Sequence, residues 1–182
     1  MEKSGENSGK FVADAMLGEV ARWLRILGYD VLYSRNYTDK QILSIAMKTG
    51  RIILTRDRGL YARAKKRNLR AVYVSTDNIV ERLAELVLKT GISLDPDPRK
   101  SRCPECNSPL IIVRDKEKVK DRVPPRALEA NDVFYMCPRC GRVYWEGSHW
   151  RNIRRVVREA LELVEVARNA ARQARRPRRA NL

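Results

Sequence analysis

From Lys10 to Gly91 the hydrophobic period of the chain switches four times between two regimes, and this alternation constrains the fold more than any other feature. A continuous apolar run, Phe11-Val12-Ala13, is followed by helical spacing from Met16 to Leu27, stopped by Gly28. Val31-Leu32-Tyr33 leads to a second helical stretch, Asp39 to Thr49, stopped by Gly50. Ile52-Ile53-Leu54 leads to Gly59 through Arg67, and Ala71-Val72-Tyr73-Val74 leads to Ile79 through Thr90, stopped by Gly91. Short apolar runs bounded by turn residues predict strands, and apolar residues at three- and four-residue intervals predict helices. Their alternation predicts an α/β fold, a parallel sheet flanked by helices, because parallel neighbours need a crossover and a helix supplies it. The strands are apolar almost throughout, as strands covered on both faces must be.

After Gly91 the pattern ends in ISLDPDPRK, whose Pro96 and Pro98 read as a linker. This divides the chain into a first unit at residues 10–95, a small second unit at 99–150, and a basic C-terminal helix and tail at 151–182. The second unit carries CPEC at Cys103–Cys106 and CPRC at Cys137–Cys140, with short strands predicted at Leu110–Val113, Val133–Met136 and Val143–Trp145. Paired Cys-x-x-Cys knuckles on such strands predict a zinc ribbon, with Cys103, Cys106, Cys137 and Cys140 as a closed tetrahedral site for structural zinc. A unit this small, with few large apolar groups, would be marginal without the metal. The other reading of a Cys-x-x-Cys is a redox pair. From Arg151 to Arg176 helical spacing returns, with Ile153, Val156, Val157, Ala160, Leu161, Val164 and Ala167 on one stripe and Pro177 at the end.

Four acids fall just after the predicted strands: Asp14, Asp39, Asp57 and Asp77. In a parallel sheet the carboxyl ends of all strands share one edge, where ligands bind. Carboxylates gathered there repel one another unless a cation intervenes, and hard oxygen donors suit Mg²⁺ or Mn²⁺. Such an ion can activate water and offset charge on a phosphodiester. The competing reading is helix capping, which Asp favours; Thr38 and Gln41 even fit a capping box around Asp39.

Net charge narrows the partner. The chain carries 38 Lys and Arg against 22 Asp and Glu, formally +16, and its isoelectric point is near 10.2. An excess of that size predicts a polyanionic partner, nucleic acid before anionic membrane. Arg56 and Arg58 flank Asp57, and Arg63, Lys65, Lys66 and Arg67 follow it; Arg22 and Arg25 stand near one another on the first helix. These are the candidate phosphate contacts, and each competes with a reading as solvated surface charge. His149 and Trp150, in an aromatic stretch, are candidates for stacking on bases or orienting a phosphate, whereas Trp23 reads as core. The arginine-rich end predicts RNA affinity without base specificity, against a reading as a solvated helix of heat-adapted type. No apolar run is long enough to span a membrane and MEKSGENSGK lacks a signal-peptide core, so the expected location is cytoplasmic, where cysteines remain reduced.

Several stretches taken together resemble a known family. FVADAMLGEVARWLRILGYDVLY, TDKQILSIA, RIILTRDRGL, RCPECNSPL, VPP and FYMCPRCGRVYWEGSHW, covering roughly Phe11 to Arg155, are similar to the Mut-seven C-terminal RNase family, whose fold is similar to the PIN nuclease domain. The resemblance implies a PIN-like, metal-dependent ribonuclease with Asp14, Asp39 and Asp57 at the acidic positions. Asp77 stands where PIN domains carry a later acid. The expected function is endonucleolytic RNA cleavage with Mg²⁺ or Mn²⁺; the alternatives are an inactive RNA-binding adaptor, or a toxin-like nuclease controlled by a partner.

Overall fold

The structure, a computed structural model, describes residues 9–174. Strand β1 (Lys10–Ala13) leads through a 3-10 turn at Ala15–Leu17 into α1 (Gly18–Ile26). Then follow β2 (Asp30–Tyr33), α2 (Asp39–Thr49), β3 (Ile52–Thr55), α3 (Arg58–Lys66), β4 (Ala71–Tyr73) and α4 (Ile79–Thr90). The four strands form one parallel sheet in the order β2-β1-β3-β4, with Phe11 beside Val31 on one side and beside Ile52 on the other. The chain leaves β1 toward β2 and then crosses back to β3, so the switch point of the sheet lies between β1 and β3.

Strand alternation feeds two cores. Phe11, Ala13, Val31, Ile52 and Leu54 point into the larger one, which α1 and α4 cover with Val20, Leu24, Leu83 and Leu86. Val12 and Ile53 point the other way, against Ile42, Leu43 and Ala46 of α2 and Leu60 and Ala64 of α3. Both faces are therefore dry, which explains the unbroken apolar runs. The helix ends follow local chemistry. Thr38 and Gln41 close a capping box at the start of α2, and Gly50 and Gly91 end α2 and α4 in the left-handed conformation.

The first helix differs from the expected continuous Met16–Leu27. Asp14 accepts from the Met16 amide, only two residues on, which tightens the first turn to 3-10 before α-helix begins at Gly18.

Beyond α4 the chain forms a three-stranded antiparallel sheet in the order β5-β6-β7, from β5 (Ile111–Val113), β6 (Phe134–Met136) and β7 (Val143–Trp145). A short helix that the sequence did not suggest, α5 (Pro125–Ala130), lies between β5 and β6 with proline in its first turn, where the missing N–H is harmless. The small core under this sheet has only Val113, Val119, Val123 and Phe134 as buried residues.

The last helix, α6 (Ser148–Ala174), starts three residues earlier than expected. Trp150 is the first member of the buried stripe that continues through Ile153, Val156, Val157, Ala160 and Val164, so its burial draws the GSHW segment into the helix. That stripe packs on α4 and joins the larger core. The expected helix end at Arg176 and the arginine-rich tail lie outside the described residues. Among the described residues no helix is long and apolar enough to cross a membrane.

Candidate functional site

At the switch point β1 ends and Asp14 begins, its amide still bonded to the Leu54 carbonyl at 3.0 Å. The Asp14 carboxylate is 6% exposed and held by three donors. Oδ1 accepts from the Met16 amide at 2.9 Å; Oδ2 accepts from the Arg56 amide at 2.8 Å and from the Thr55 hydroxyl. A carboxylate offers about four lone-pair positions, so one stays unused by the protein. Thr55, fully buried, also accepts from the Asp57 amide at 2.9 Å. One hydroxyl thus ties the ends of β1 and β3 together and fixes Asp14 relative to Asp57.

Asp57 caps α3. Its Oδ1 accepts from the Leu60 amide at 2.6 Å, while the rest of this exposed residue faces outward. Asp39 opens α2 and is paired with Arg63 of α3, across the loop ends of β2 and β3. Asp77, in the loop after β4, has an 86% exposed side chain and meets Arg56 at 2.7 Å. All four acids follow the carboxyl ends of strands, yet they do not converge. Among the described residues, the only group of three or more Asp, Glu, His or Cys with ligating atoms within 4.8 Å of one another is the cysteine set. Two of the four are engaged in ion pairs instead, Asp39 with Arg63 and Asp77 with Arg56.

The candidate cations divide into three sets. Arg58, Lys65, Lys66 and Arg67 are exposed on or just after α3 without an ion pair among the described residues, and Arg58 lies 6.0 Å from the Tyr73 ring. Arg56 and Arg63 are held by Asp77 and Asp39, and exposed Arg22 meets Glu105 at 3.2 Å. Arg25 corrects the sequence reading. It is 4% exposed, and its guanidinium donates to the carbonyls of Val31, Pro104 and Glu105 at 2.8–3.1 Å, so it docks the CPEC turn and is shielded from phosphate. Trp150 is a second correction: at 7% exposure its ring mostly belongs to the α6 stripe, with little surface left for a base. His149, its neighbour, is exposed in the first turn of α6.

The cysteines form two matching turns. The Asn107 amide reaches the Cys103 carbonyl and the Gly141 amide the Cys137 carbonyl, both at 2.9 Å, with Asn107 and Gly141 each at positive φ, as so tight a reversal requires. Cys103 Sγ lies 3.6 Å from Cys140 Sγ, and Cys106 Sγ lies 3.3 Å from Cys137 Sγ. These distances are far too long for disulfides and near the roughly 3.8 Å separation that four sulfurs take around a zinc at about 2.3 Å. The cluster is compatible with a zinc site. The Arg142 amide draws the Cys140 thiol down to about 6, toward the thiolate that a metal needs, while burial pushes Cys106 up to about 12. Asn107 also anchors this turn to the large sheet, accepting from the Val31 amide at 3.1 Å and donating to Asp30 at 2.7 Å.

Three residues that matter here carried no signal of their own. Thr55 merely closes an apolar run. Arg25 looks like any helix arginine. Glu85 of α4 accepts from the amide and hydroxyl of both Ser75 and Thr76, which shapes the loop leading to Asp77. Burial pushes Glu85 up, but the bonds from Lys89 and Ser75 outweigh it and hold its carboxyl at about 2.

Comparison with known proteins adds one match. The family model described as the Mut7-C RNAse domain matches residues 9–157. No curated protein and no solved structure matches the chain.

Proposed function

The chain belongs to the Mut7-C RNAse domain family, whose model spans residues 9–157 of its 182, and from that membership we propose that it is a PIN-like, metal-dependent ribonuclease cutting within RNA strands. The observation that carries the reading is Asp14. A mere cap needs one hydrogen bond at an exposed position, whereas Asp14 is buried at the switch point, fixed by three donors and coupled through Thr55 to Asp57. That is the treatment a ligand-holding carboxylate requires, since its orientation has to survive without the ligand's help.

The donor chemistry fits Mg²⁺ or Mn²⁺: Asp14 and Asp57 present hard carboxylate oxygens at the strand ends, with Asp39 across from them. When bound, such an ion supplies activation of water and compensation of charge on the phosphodiester. Asp14 holds its position because both oxygens are tied to backbone and Thr55. Asp57 keeps its cap bond through Oδ1 and has Oδ2 to offer. Arg58, in the first turn of α3, stands at this edge and engages a flanking phosphate without reading sequence, whereas Lys65, Lys66 and Arg67 lie at the far end of that helix, toward the start of β4, and meet only a strand that runs on beyond the edge. Arg56 and Arg63 join Arg58 when phosphate replaces Asp77 and Asp39 as their partners. The cysteine cluster holds a structural zinc, and its reduced thiols suit a cytoplasmic protein.

A second reading has a specific observation in its favour. Because Asp39 and Asp77 are already neutralised by Arg63 and Arg56, the edge could bind RNA as an adaptor that does not cut. Incubation of the purified protein with a pool of structured RNAs, with and without Mn²⁺, separates the two. New internal ends that depend on Mn²⁺ support the ribonuclease. RNA that is retained intact supports the adaptor.

A further inference from the structure

Beside the carboxylate edge lies a second concavity, a cleft of about 990 Å³ bounded by α1, the CPEC turn, β7 and the first turns of α6. That volume is at the upper end of the range for sites that enclose a small organic group, roughly 300–1,000 Å³. Its lining is unusual for this chain. All three tryptophans border the cleft, Trp23 and Trp145 partly exposed and Trp150 buried, and so do the one histidine, His149, and three tyrosines, Tyr33, Tyr144 and the buried Tyr135. Burial of a core does not account for the concentration, since Trp23, Tyr33, Tyr144 and Trp145 all remain partly exposed and His149 is exposed. Trp23 and Tyr33 rest against the large core and Trp145 against the small one, so the aromatic walls are anchored on two separate bodies of packing.

Cations stand among the rings. Arg22, Arg35 and Arg102 border the cleft, with the buried Arg25 and two acids, Glu19 and Glu105, the acids being paired with Arg82 and Arg22. Arg22 shares Glu105, and Arg102 is turned toward the Asn107 carbonyl at 2.8 Å, but Arg35 is exposed and makes no ion pair among the described residues. The cleft also has a direction. Tyr33 pairs with Ala13 in the sheet, and its hydroxyl donates to the Ala15 carbonyl at 3.2 Å, so these contacts bracket Asp14 in sequence. Gly18 lies directly beneath that ring, where a Cβ would come within 2.5 Å of the Tyr33 hydroxyl. None of the four carboxylates lines the cleft. It is a neighbour of the cutting edge and not a part of it.

Aromatic faces interleaved with arginine are what an unstacked base and its phosphates require, whereas a duplex keeps its bases stacked on one another and offers this cleft nothing. We propose that the cleft is the binding site for one or two unpaired bases of a single-stranded RNA whose backbone runs on past Tyr33 to the Asp14 edge. The path of the strand rests on the ribonuclease reading; the base site does not.

Because every tryptophan of the chain borders the cleft, intrinsic fluorescence reports on it directly. The Asp57→Asn protein, without added divalent metal so that the RNA stays intact, is titrated with a labelled unstructured strand of about ten nucleotides, with the same sequence as a duplex, and with AMP. Fluorescence quenching and label anisotropy are followed together. The single strand should quench with the midpoint seen by anisotropy, and the duplex should bind without quenching. Trp145→Ala should weaken the single strand by about five- to a hundredfold, while Trp145→Phe, which keeps a ring on the small core, should restore most of the loss. Arg35→Gln, at an exposed position, should weaken it severalfold and leave duplex binding unchanged. Anisotropy that rises without quenching, or affinity indifferent to these changes, would overturn the cleft and leave the ribonuclease reading intact. Quenching by AMP as tight as by the strand would overturn the strand as occupant and make the cleft a free-nucleotide site. Conversely, quenching by RNA that the wild-type protein never cuts with Mn²⁺ would keep the cleft and remove the ribonuclease.

Discussion

Replacing Asp14 and Asp57 by Asn separately should give very unequal losses of stability, although the two residues look equivalent in the sequence. Asp14 accepts on both oxygens: one donor on Oδ1, two on Oδ2. An amide has a single acceptor oxygen. With that oxygen turned toward Thr55 and Arg56, the side chain of the Asp14→Asn protein would face the Met16 N–H with its own NH₂ and leave a part-buried donor unpaired, at about 1–3 kcal/mol. The two remaining bonds would lose charge assistance, roughly 0.5–1 kcal/mol each. The sum is about 3 kcal/mol, which for a chain of this size is a fall in Tm of roughly 6–12 °C. Asp57 accepts with Oδ1 alone, and Asn caps about as well as Asp, so Asp57→Asn should stay within about 0.5 kcal/mol of wild type. Thermal and urea unfolding at neutral pH, followed by far-UV circular dichroism, measure both. Equal effects, or a loss below about 1 kcal/mol for Asp14→Asn, would refute the three-donor description of Asp14.

Removing metal from the cysteine site should unfold the β5–β7 sheet before the parallel one, given only four buried residues beneath it; elemental analysis of the intact protein should give about one zinc per chain, and a stable metal-free fold would contradict this. Arg25→Gln should cost about 2–4 kcal/mol, through carbonyls of Val31, Pro104 and Glu105 left unpaired, and leave the salt slope of RNA binding unchanged, since Arg25 meets no phosphate. Glu85 makes stability depend on acid: its folded value of about 2 lies below the usual 4.5, so its contribution is complete above pH 4.5 and is lost as pH falls toward 2. With its side chain only 10% exposed, that contribution is on the order of 2–3 kcal/mol, and urea titrations between pH 7 and 2 should show Glu85→Gln lacking that part of the acid dependence.

What the sequence revealed and what it hid divide along a physical line. The central strands β1 and β3 were legible because they are buried on both faces, which demands an unbroken apolar run, and α2 and α4 because their caps and terminal glycines lie within the segment itself. The cysteine turns were legible for the same reason, their spacing being local. Thr55, Arg25 and Glu85 were hidden because each takes its meaning from a partner that only the fold brings near: Asp14 from 41 residues away, Pro104 from 79, Ser75 from 10. The edge acids were found, but not the pairing of two of them with Arg56 and Arg63, since an Arg near an Asp in sequence does not reveal which Asp it will meet. The start of α6 was hidden for a related reason: GSHW reads as the aromatic end of the cysteine unit, and only the fold shows that Trp150 leads the buried stripe of the helix.

The most direct test of the ribonuclease reading is single-turnover cleavage of one RNA at saturating Mn²⁺ by wild-type and Asp57→Asn proteins, because the variant keeps fold and cap and changes only the charge that Asp57 offers to a metal. A ligand role predicts that the variant cuts slower by orders of magnitude while binding the same RNA at least as tightly. Wild-type cleavage by Asp57→Asn would remove that residue from the mechanism, and a wild-type protein that binds the RNA but leaves it whole would contradict the ribonuclease itself.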